Sequence, residues 1–350
     1  MNKPFAEADW PQKLAYMNEY DNFARLYGIR LVDYRRDYAQ LEMALSPMYL
    51  NSQKRLHGSW QAALIMIAAG KAARSRGWEV RPAKLNMNYH HGVQEGLLLV
   101  TAKVKQYGPN LICVDVEVHC RGDHSLNGDH ASTQQVAEDI MVASGRVDFL
   151  PLPEQTVPYP LAGLPDFYPE SRRQARPLPV YPEERAGLHD DIPGLRPCFR
   201  ESSYEAKRDY MNENENFYYN EDIRVTEYGP GFARAEMPVL PQHVGVEGCI
   251  DPAWLAVFLD PLIGKPCLHD GHFCVTAQSS ITFFAGQAAL GGKLVGEARE
   301  ISRKAPFAVY AGSVWNQQGE ELAYGVCTMY LRSAEINFRR ELPLNYQDLV

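Results

Sequence analysis

The sequence predicts an α+β protein made of two copies of one domain, in each of which a long apolar helix is wrapped by an antiparallel sheet. Three observations predict this architecture. The chain contains an internal repeat, each copy holds one long apolar segment, and strand-like segments lie on both sides of that segment. A helix that is apolar nearly all round has to be covered by other elements, and the flanking strands can supply a covering sheet.

The repeat appears when the sequence is compared with itself at a shift of 194 positions, which places Lys13 on Lys207. Between residues 13 and 92 this shift gives 21 identities without a gap. In copy one the shared residues include Lys13, Tyr16, Met17, Asn18, Glu19, Asn22, Phe23, Ile29, Arg30, Tyr34, Ala39, Glu42, Met43, Pro47, Trp60, Ala62, Gly70, Lys71 and Gly92. Chance does not produce such a series, so we infer duplication of one domain.

A proline-rich segment separates the two copies. Eleven of the 24 prolines lie between Pro151 and Pro197. Prolines at this density exclude regular helix and central strand and favour an extended chain on the surface. We therefore expect an N-terminal domain in residues 1–150, a linker in residues 151–200 and a C-terminal domain in residues 201–350.

The same elements are predicted in the same order in both copies. In copy one a polar helical lead-in precedes a stretch in which β-branched and aromatic residues alternate with polar ones, as in a pair of strands. The apolar segment that follows is too long for a strand and suits a buried helix. The predicted segments are the lead-in at 13–26, the strand pair at 29–45, helices at 57–74 and 251–265, and strands at 83–89, 97–105, 111–120, 137–149, 275–284, 293–301, 308–315 and 322–331.

The amino-acid composition limits the kinds of binding partner and the cellular location that we expect for the protein. The net charge is −8 and the isoelectric point is near 5.7, with no compensating stripe of Lys or Arg, so nucleic acid is not expected as a partner. The longest apolar runs are far shorter than the ~18 to 20 residues of a membrane-spanning helix. The polar and acidic N-terminus is unlike a secretory signal or a transit peptide, which predicts a cytoplasmic protein.

Cofactor and metal motifs are not found in the sequence. The seven cysteines include no CxxC pair, so neither a disulfide framework nor a zinc site is indicated, and they are expected to be mostly buried thiols. Glycine-rich nucleotide-binding loops and a GxSxG nucleophile motif are also not found. We therefore expect no cofactor and no metal.

The predicted plan resembles the hotdog fold, in which a sheet wraps one long helix. Two fused copies then resemble a double hotdog, the covalent version of a symmetric dimer. The resemblance implies an acyl thioester of coenzyme A or of acyl carrier protein as substrate. Assembly of the fused unit into a homo-oligomer is a further candidate interaction.

A short motif narrows the resemblance. Asn51, followed after five residues by His57, Gly58 and Ser59, leads directly into the predicted helix of copy one. This pattern resembles the Asn…His-Gly-Gly loop of hotdog enzymes of the phenylacetyl-CoA thioesterase type, in which an acidic residue lies nine positions after the His. In copy one that ninth position is Met66.

Copy two has the opposite arrangement. The positions corresponding to the loop residues hold Gly245, Asp251 and Pro252, but the position corresponding to Met66 holds Asp260. In such hotdog enzymes the loop and the acid come from different partners. The resemblance therefore implies one composite site, with Asn51, His57, Gly58 and Ser59 of copy one facing Asp260 of copy two.

Elementary chemistry gives these residues suitable roles. The N–H of Gly58 at a helix N-terminus would be an unsatisfied donor, suited to the oxyanion that forms on a thioester carbonyl. Asp260 lies in the apolar run 255–263, where desolvation should raise its pKa toward that of a useful general base. It would activate water or attack directly, while Asn51 and His57 orient the carbonyl or the water.

Structural roles compete with these assignments. Asp260 followed by Pro261 would also make a good N-cap that merely restarts a helix. His57 would serve equally as a capping or packing residue. The repeated Trp60 and Trp254 are expected in the core.

Copy two carries a second resemblance, to the C-terminal hotdog of the acyl-CoA thioesterase II family, a double hotdog that uses Asp, Thr and Gln. It rests on residues 255–260 and 317–332 and on Thr276. Asp260 and Thr276 occupy matching positions, which implies a substrate-binding role for Thr276. The Gln position holds Cys327, so the complete triad is not expected.

Two other functions remain open at this point. Residues 248–254 and 283–287 resemble β-hydroxyacyl-ACP dehydratases, in which a His lies opposite an Asp or Glu. Asp251 or Asp260 would then act with His243 or His57, although the spacing fits less well. A non-catalytic acyl-binding protein is the remaining alternative, because the second pseudo-site has lost every element of the motif.

Overall fold

The fold is known from a computed structural model, which describes residues 5–51, 54–122, 139–157, 192–196, 199–214, 221–245 and 248–335. Every structural statement below concerns these residues. Most of the predicted linker, residues 158–191, lies outside them, and the predicted domain boundaries stay a prediction.

The described residues form five α-helices and twelve strands, and the order of elements in the first half recurs in the second. The helices are α1 (Trp10–Tyr20), α2 (Asn22–Leu26), α3 (Gly58–Arg74), α4 (Tyr204–Asn214) and α5 (Pro252–Gly264). The strands are β1 (Arg30–Arg35), β2 (Tyr38–Ala44), β3 (Trp78–Tyr89), β4 (Leu97–Tyr107), β5 (Ile112–Arg121), β6 (Ile140–Thr156), β7 (Arg224–Gly229), β8 (Phe232–Pro238), β9 (His272–Phe283), β10 (Lys293–Lys304), β11 (Phe307–Asn316) and β12 (Glu321–Glu335).

All twelve strands belong to one antiparallel sheet, whose order is β1-β2-β4-β5-β6-β3-β9-β12-β11-β10-β8-β7. The second half of this order is the first half reversed, as a twofold relation between the copies requires. Strands β3 and β9 join the halves, and Asn86 pairs there with Ser280, its own repeat partner. The Ser280 hydroxyl donates to Asn86 Oδ1 at 2.8 Å, and the pseudo-twofold axis passes between these two residues.

The two long helices pack against each other and against the sheet. Trp60 and Trp254, near their N-termini, are 2% and 0% exposed, which confirms that they belong to the core. The ring of Phe23 lies between them, with centroids 5.7 and 5.0 Å away. Helix α5 continues through Pro261, so Asp260 is an interior residue of the helix and not the cap of a new one.

Many of the repeated identities make the same contact in both copies. The Asn18 side chain both donates to and accepts from the backbone of Leu31, at 3.0 and 2.8 Å, and Asn212 does the same with Val225 at the same distances. A partly buried asparagine whose amide both donates and accepts fixes the helix against the first strand. These identities therefore reflect contacts that hold the same fold together in both copies.

Several strands extend beyond their predicted ends. Strand β3 begins at Trp78, and its partner β6 continues to Thr156, so the first prolines of the predicted linker lie in a strand. Beyond Phe149, β6 pairs only with β3, because its pairing with β5 ends there. A strand segment that pairs on one side only does not need all of its N–H groups for pairing, so proline, which has no N–H, is tolerated there.

None of the described helices is long and apolar enough to span a membrane.

Candidate active site

The N-terminus of helix α3 presents the Gly58 backbone. His57 is the N-cap, and its Nδ1 accepts from the Ser59 N–H at 3.2 Å and lies 2.7 Å from the Ser59 hydroxyl. Since a backbone N–H can only donate, Nδ1 is the acceptor, and a neutral His57 carries its proton on Nε2. Gly58 follows at the first helical position, where the N–H has no acceptor within the helix.

Asp260 of helix α5 lies directly against this N-terminus. A Cβ atom added to Gly58 would lie 2.8 Å from Asp260 Oδ2 and 3.1 Å from Tyr89 Cε1. The Tyr89 hydroxyl, at the end of strand β3, donates to Asp260 Oδ1 at 2.6 Å. The residue facing the carboxylate therefore has to be glycine, and the two carboxylate oxygens have different neighbours.

The surroundings of Asp260 favour its protonated form more than water does. Asp260 is 3% exposed, and burial raises its pKa above the ordinary value, although the Tyr89 hydrogen bond and the nearby His57 offset part of the rise. Burial and the adjacent Asp260 charge together hold the pKa of Tyr89 well above its ordinary value. Tyr89 is therefore a permanent hydrogen-bond donor at neutral pH, and Asp260 is a carboxylate of raised basicity.

Two further polar side chains lie on the sheet near the carboxylate. Ser279 of β9 and Cys327 of β12 are paired in register, and both are buried. Burial and the charge of Asp260 raise the pKa of the Cys327 thiol well above its ordinary value, so it stays a neutral thiol. Cys327 therefore occupies the predicted position of the glutamine without its amide chemistry.

The pseudo-symmetric positions carry no comparable group. At the shift of 194 residues, Gly58, Asp260 and Tyr89 correspond to Pro252, Met66 and Phe283. The strand register likewise places Leu85 opposite Val147 where the other half has Ser279 opposite Cys327. The polar groups are thus gathered on one side of the pseudo-twofold axis.

The N-terminus of helix α5 is occupied by its own cap. Asp251 accepts from the Ala253 N–H at 2.8 Å, and Pro252 has no N–H to offer to a ligand. Burial and the nearby charge of Asp21 raise the pKa of Asp251 to about 6. Asp21 is itself paired with the buried Lys71 at 3.1 Å, so these groups form a structural cluster.

The remaining predicted site residues have contacts of other kinds. The Asn51 side chain accepts from the Arg55 N–H at 3.1 Å and shapes the loop before α3. Ser59 is fully buried behind His57, and the Thr276 hydroxyl donates to Met329 Sδ at 3.4 Å. Substrate contacts of Asn51, Ser59 and Thr276 stay predictions.

His243, considered for a dehydratase, is buried and occupied. Its Nε2 lies 3.1 Å from Glu221 Oε2, while the Tyr27 hydroxyl donates to Glu221 Oε1 at 2.5 Å. This network contacts the ring of Trp254, 4.3 Å from that of His243. A histidine with no exposed surface and a buried carboxylate partner is not available to a substrate.

Sequence reasoning missed Tyr89. The signal was present, because the repeat places Tyr89 on Phe283, and the two differ by one hydroxyl group. The sequence does not show that these two side chains touch, because Tyr89 and Asp260 are separated by 171 positions. Among the described residues, no group of three or more His, Cys, Asp and Glu side chains is arranged to hold a metal ion.

The fold, a long helix wrapped by antiparallel strands and present twice, is a double hotdog. Residues 53–126, which include the loop with His57 and Gly58, match the family described as the thioesterase superfamily. A protein from Archaeoglobus fulgidus named as a proposed esterase is 27% identical over 126 residues, which are 36% of this chain and 81% of that protein.

Solved structures show the same double fold over nearly the whole chain. A proposed thioesterase from Novosphingobium aromaticivorans is 18% identical, with a TM-score of 0.52 over 86% of this chain and 98% of that one. The tesB protein of Mycobacterium avium subsp. paratuberculosis is 14% identical, with a TM-score of 0.52 over 92% and 99%. These likenesses confirm the double hotdog, and the family match confirms the resemblance to the thioesterase superfamily and supports a thioester hydrolase.

Proposed function

We propose that this protein hydrolyses an acyl thioester of coenzyme A or acyl carrier protein at one composite site. The loop of copy one supplies His57 and Gly58, and helix α5 of copy two supplies Asp260. The observation that carries the proposal is the placement of Asp260 Oδ2 against Gly58 while Tyr89 engages Oδ1. A general base and an oxyanion donor are thereby adjacent, as acyl transfer to water requires.

The reaction would proceed as follows. The thioester carbonyl oxygen accepts from the Gly58 N–H, and His57 orients the carbonyl or the water. Asp260 removes a proton from water as its oxygen bonds to the carbonyl carbon, and the negative charge that forms on the carbonyl oxygen is stabilised at the helix N-terminus. Collapse of this intermediate breaks the carbon–sulfur bond, and the proton held by Asp260 passes to the leaving thiolate.

The buried position of Asp260 suits this cycle. A carboxylate with an ordinary pKa would be a poor acceptor of a proton from water, and burial brings the pKa closer to the working pH. The Tyr89 hydrogen bond limits the rise, so that the carboxylate remains available. Water, rather than direct attack by Asp260, is the nucleophile that we favour, because Tyr89 restrains one carboxylate oxygen.

The test is release of free thiol from a panel of acyl-CoA and acyl carrier protein substrates. Asp260→Asn keeps the shape but cannot accept the proton, and we expect a loss of about 100-fold or more in kcat. His57→Ala should lower kcat/KM, and its Ser59 contact makes a melting curve a necessary companion measurement. Met66→Leu, at the position corresponding to Asp260, is the matched control and should keep parental turnover.

Unchanged turnover in folded Asp260→Asn would overturn the composite site. Binding of acyl-CoA without thiol release by the parent protein would favour the acyl-binding alternative. Formation of an enoyl thioester from a β-hydroxyacyl thioester, followed by its ultraviolet absorbance, would favour the dehydratase. A cytoplasmic location and a homo-oligomer stay predictions.

A further inference from the structure

Helix α3 carries a buried glutamine that the mechanism above does not use. Gln61 lies three residues after Gly58 and is 4% exposed, and its Nε2 donates to the Leu56 carbonyl at 3.2 Å. Because a carbonyl can only accept, this contact assigns the two ends of the amide. Among the described residues, no donor lies within hydrogen-bond distance of Gln61 Oε1. The side chain therefore gives one hydrogen bond to the loop before the helix and keeps a buried acceptor that nothing in the described part of the chain satisfies.

The hydrogen bond from Gln61 restrains a single peptide group. The peptide between Leu56 and His57 has the Leu56 carbonyl and the His57 N–H as its polar atoms. Gln61 holds the carbonyl, and the Tyr49 carbonyl accepts from the His57 N–H at 2.9 Å. Since a peptide group is planar, bonds at both atoms fix its orientation. The next peptide carries the Gly58 N–H, whose direction depends on this plane and on the two backbone dihedral angles of His57.

Copy two repeats the backbone bond of this peptide without the side-chain bond. The Asp251 N–H donates to the His243 carbonyl at 2.9 Å, the same distance as in copy one. At the shift of 194 residues, Gln61 corresponds to Leu255, which is 5% exposed and has no polar atom in its side chain. At this helix position, a glutamine is thus present only in the copy whose helix N-terminus belongs to the candidate site.

Packing does not account for the glutamine. Leucine fills the corresponding place in copy two, so an apolar side chain of similar size meets the packing requirement there. A buried acceptor without a partner is unfavourable for stability, because its hydration is lost and not replaced. The amide of Gln61 is therefore explained by what it holds, which is the loop of the candidate site.

We propose that Gln61 is a positioning residue that keeps the Gly58 N–H directed at the thioester carbonyl oxygen. It acts through the peptide between Leu56 and His57. Negative charge grows on the carbonyl oxygen as the transition state forms, and a misdirected donor stabilises this charge less well. The effect of Gln61 is thus exerted mainly in the transition state. The inference rests on the proposed function, because it requires Gly58 to bind the oxyanion.

The experiment measures thiol release by the full chain and by two pairs of variants. Gln61→Leu installs the residue of copy two and should lower kcat by about tenfold with little change in KM. Its melting temperature should stay within about 3 °C of that of the parent, because leucine suits the corresponding place in copy two. Gln61→Met and Leu255→Met put the same side chain at both positions. Only the first of these should lower kcat.

Two further measurements separate positioning from a general loosening of the site. A non-hydrolysable thioether analogue of the best substrate keeps the carrier and the acyl chain, and its inhibition constant should be the same for Gln61→Leu and the parent. The hydrogen bond of Gln61 goes to the loop and not to Asp260. The acid limb of the pH profile of kcat/KM should therefore stay where it is in the parent.

Parental kcat in folded Gln61→Leu would overturn the inference and leave the proposed hydrolysis standing. Equal losses of kcat in the two methionine variants, or weaker binding of the thioether by Gln61→Leu, would also overturn it. If Gln61→Leu does not fold, Gln61→Met decides the matter. No thiol release by the parent from any substrate of the panel would overturn the proposed function, and this inference with it.

Discussion

The N-termini of the two long helices, α3 and α5, occupy equivalent places in the two copies of the fold and have opposite chemistry. At α3 the cap is His57, the first helical residue is Gly58, and a carboxylate from the other copy lies against it. At α5 the cap is Asp251 and the first residue is Pro252. Positions that are identical between the copies make architectural contacts, and positions that differ hold the candidate site. After duplication, one catalytic centre is sufficient, and the other is free to become core.

Among the changes that compare the two helix N-termini, the largest effect is expected from Gly58→Ala, compared with Pro252→Ala. The added methyl group would lie 2.8 Å from Asp260 Oδ2, so the carboxylate has to move away from the oxyanion position. A displacement of this kind should lower kcat by about 100-fold. Pro252→Ala at the corresponding position should leave turnover unchanged. Steady-state kinetics with circular dichroism as the folding control decide the comparison, and equal activity of both variants would contradict it.

Tyr89→Phe should produce the next largest effect, because it gives copy one the residue of copy two. We expect kcat to fall by about tenfold as Asp260 loses its restraint. The Tyr89 hydrogen bond lowers the pKa of Asp260, so its removal should raise that pKa. A base works only when deprotonated, and the acid limb of the pH profile should therefore move to higher pH.

The matched control for Tyr89→Phe is Phe283→Tyr, which should change neither kcat nor the pH profile. A fall in kcat without any movement of the acid limb would show that Tyr89 acts only through packing. A pH profile of kcat/KM between pH 4 and 9 makes the distinction.

Asn18→Ala and Asn212→Ala should have equal effects, since the two side chains make the same contacts. Each change leaves a buried backbone N–H and carbonyl without partners, and the expected loss in the free energy of unfolding is about 2 kcal/mol. Urea denaturation measures the loss. One silent variant would show that the two architectural contacts are not equivalent.

The smallest effect is expected from Asp251→Asn. Burial and Asp21 raise the pKa of Asp251 from 3.8 to about 6 in the folded protein, so folding favours the protonated form. Stability from this group is therefore present below pH 4 and is lost as the pH rises through 6. Asparagine keeps the cap without the charge.

The difference in stability between Asp251→Asn and the parent should favour the variant by about 1–2 kcal/mol at pH 7 and should shrink as the pH falls toward 4. Melting curves across this range measure it. Asp9→Asn, at the exposed cap of α1, is the control for the exchange of cap residues. A difference that does not depend on pH would contradict the role given to burial.

Most of the fold could be predicted from the sequence. The repeat, the two apolar helices and the order of the elements along the chain are confirmed, because periodicity and internal repetition can be read directly from the sequence. Strand ends were less accurate, and β3 begins five residues before the prediction at residue 83. Pairing with a neighbouring strand decides where a strand ends, and that neighbour is distant in sequence.

The sequence by itself determined the duplicated double-hotdog architecture and the exclusive placement of the loop in copy one and the acid in copy two. Only the tertiary structure decided that Tyr89 joins Asp260, that His57 is occupied at Nδ1 by its own cap, and that helix α5 continues through Pro261. The reason is physical. Patterns along the chain report which surface each element buries, whereas the pairing of β3 with β9 sets which side chains of the two halves meet.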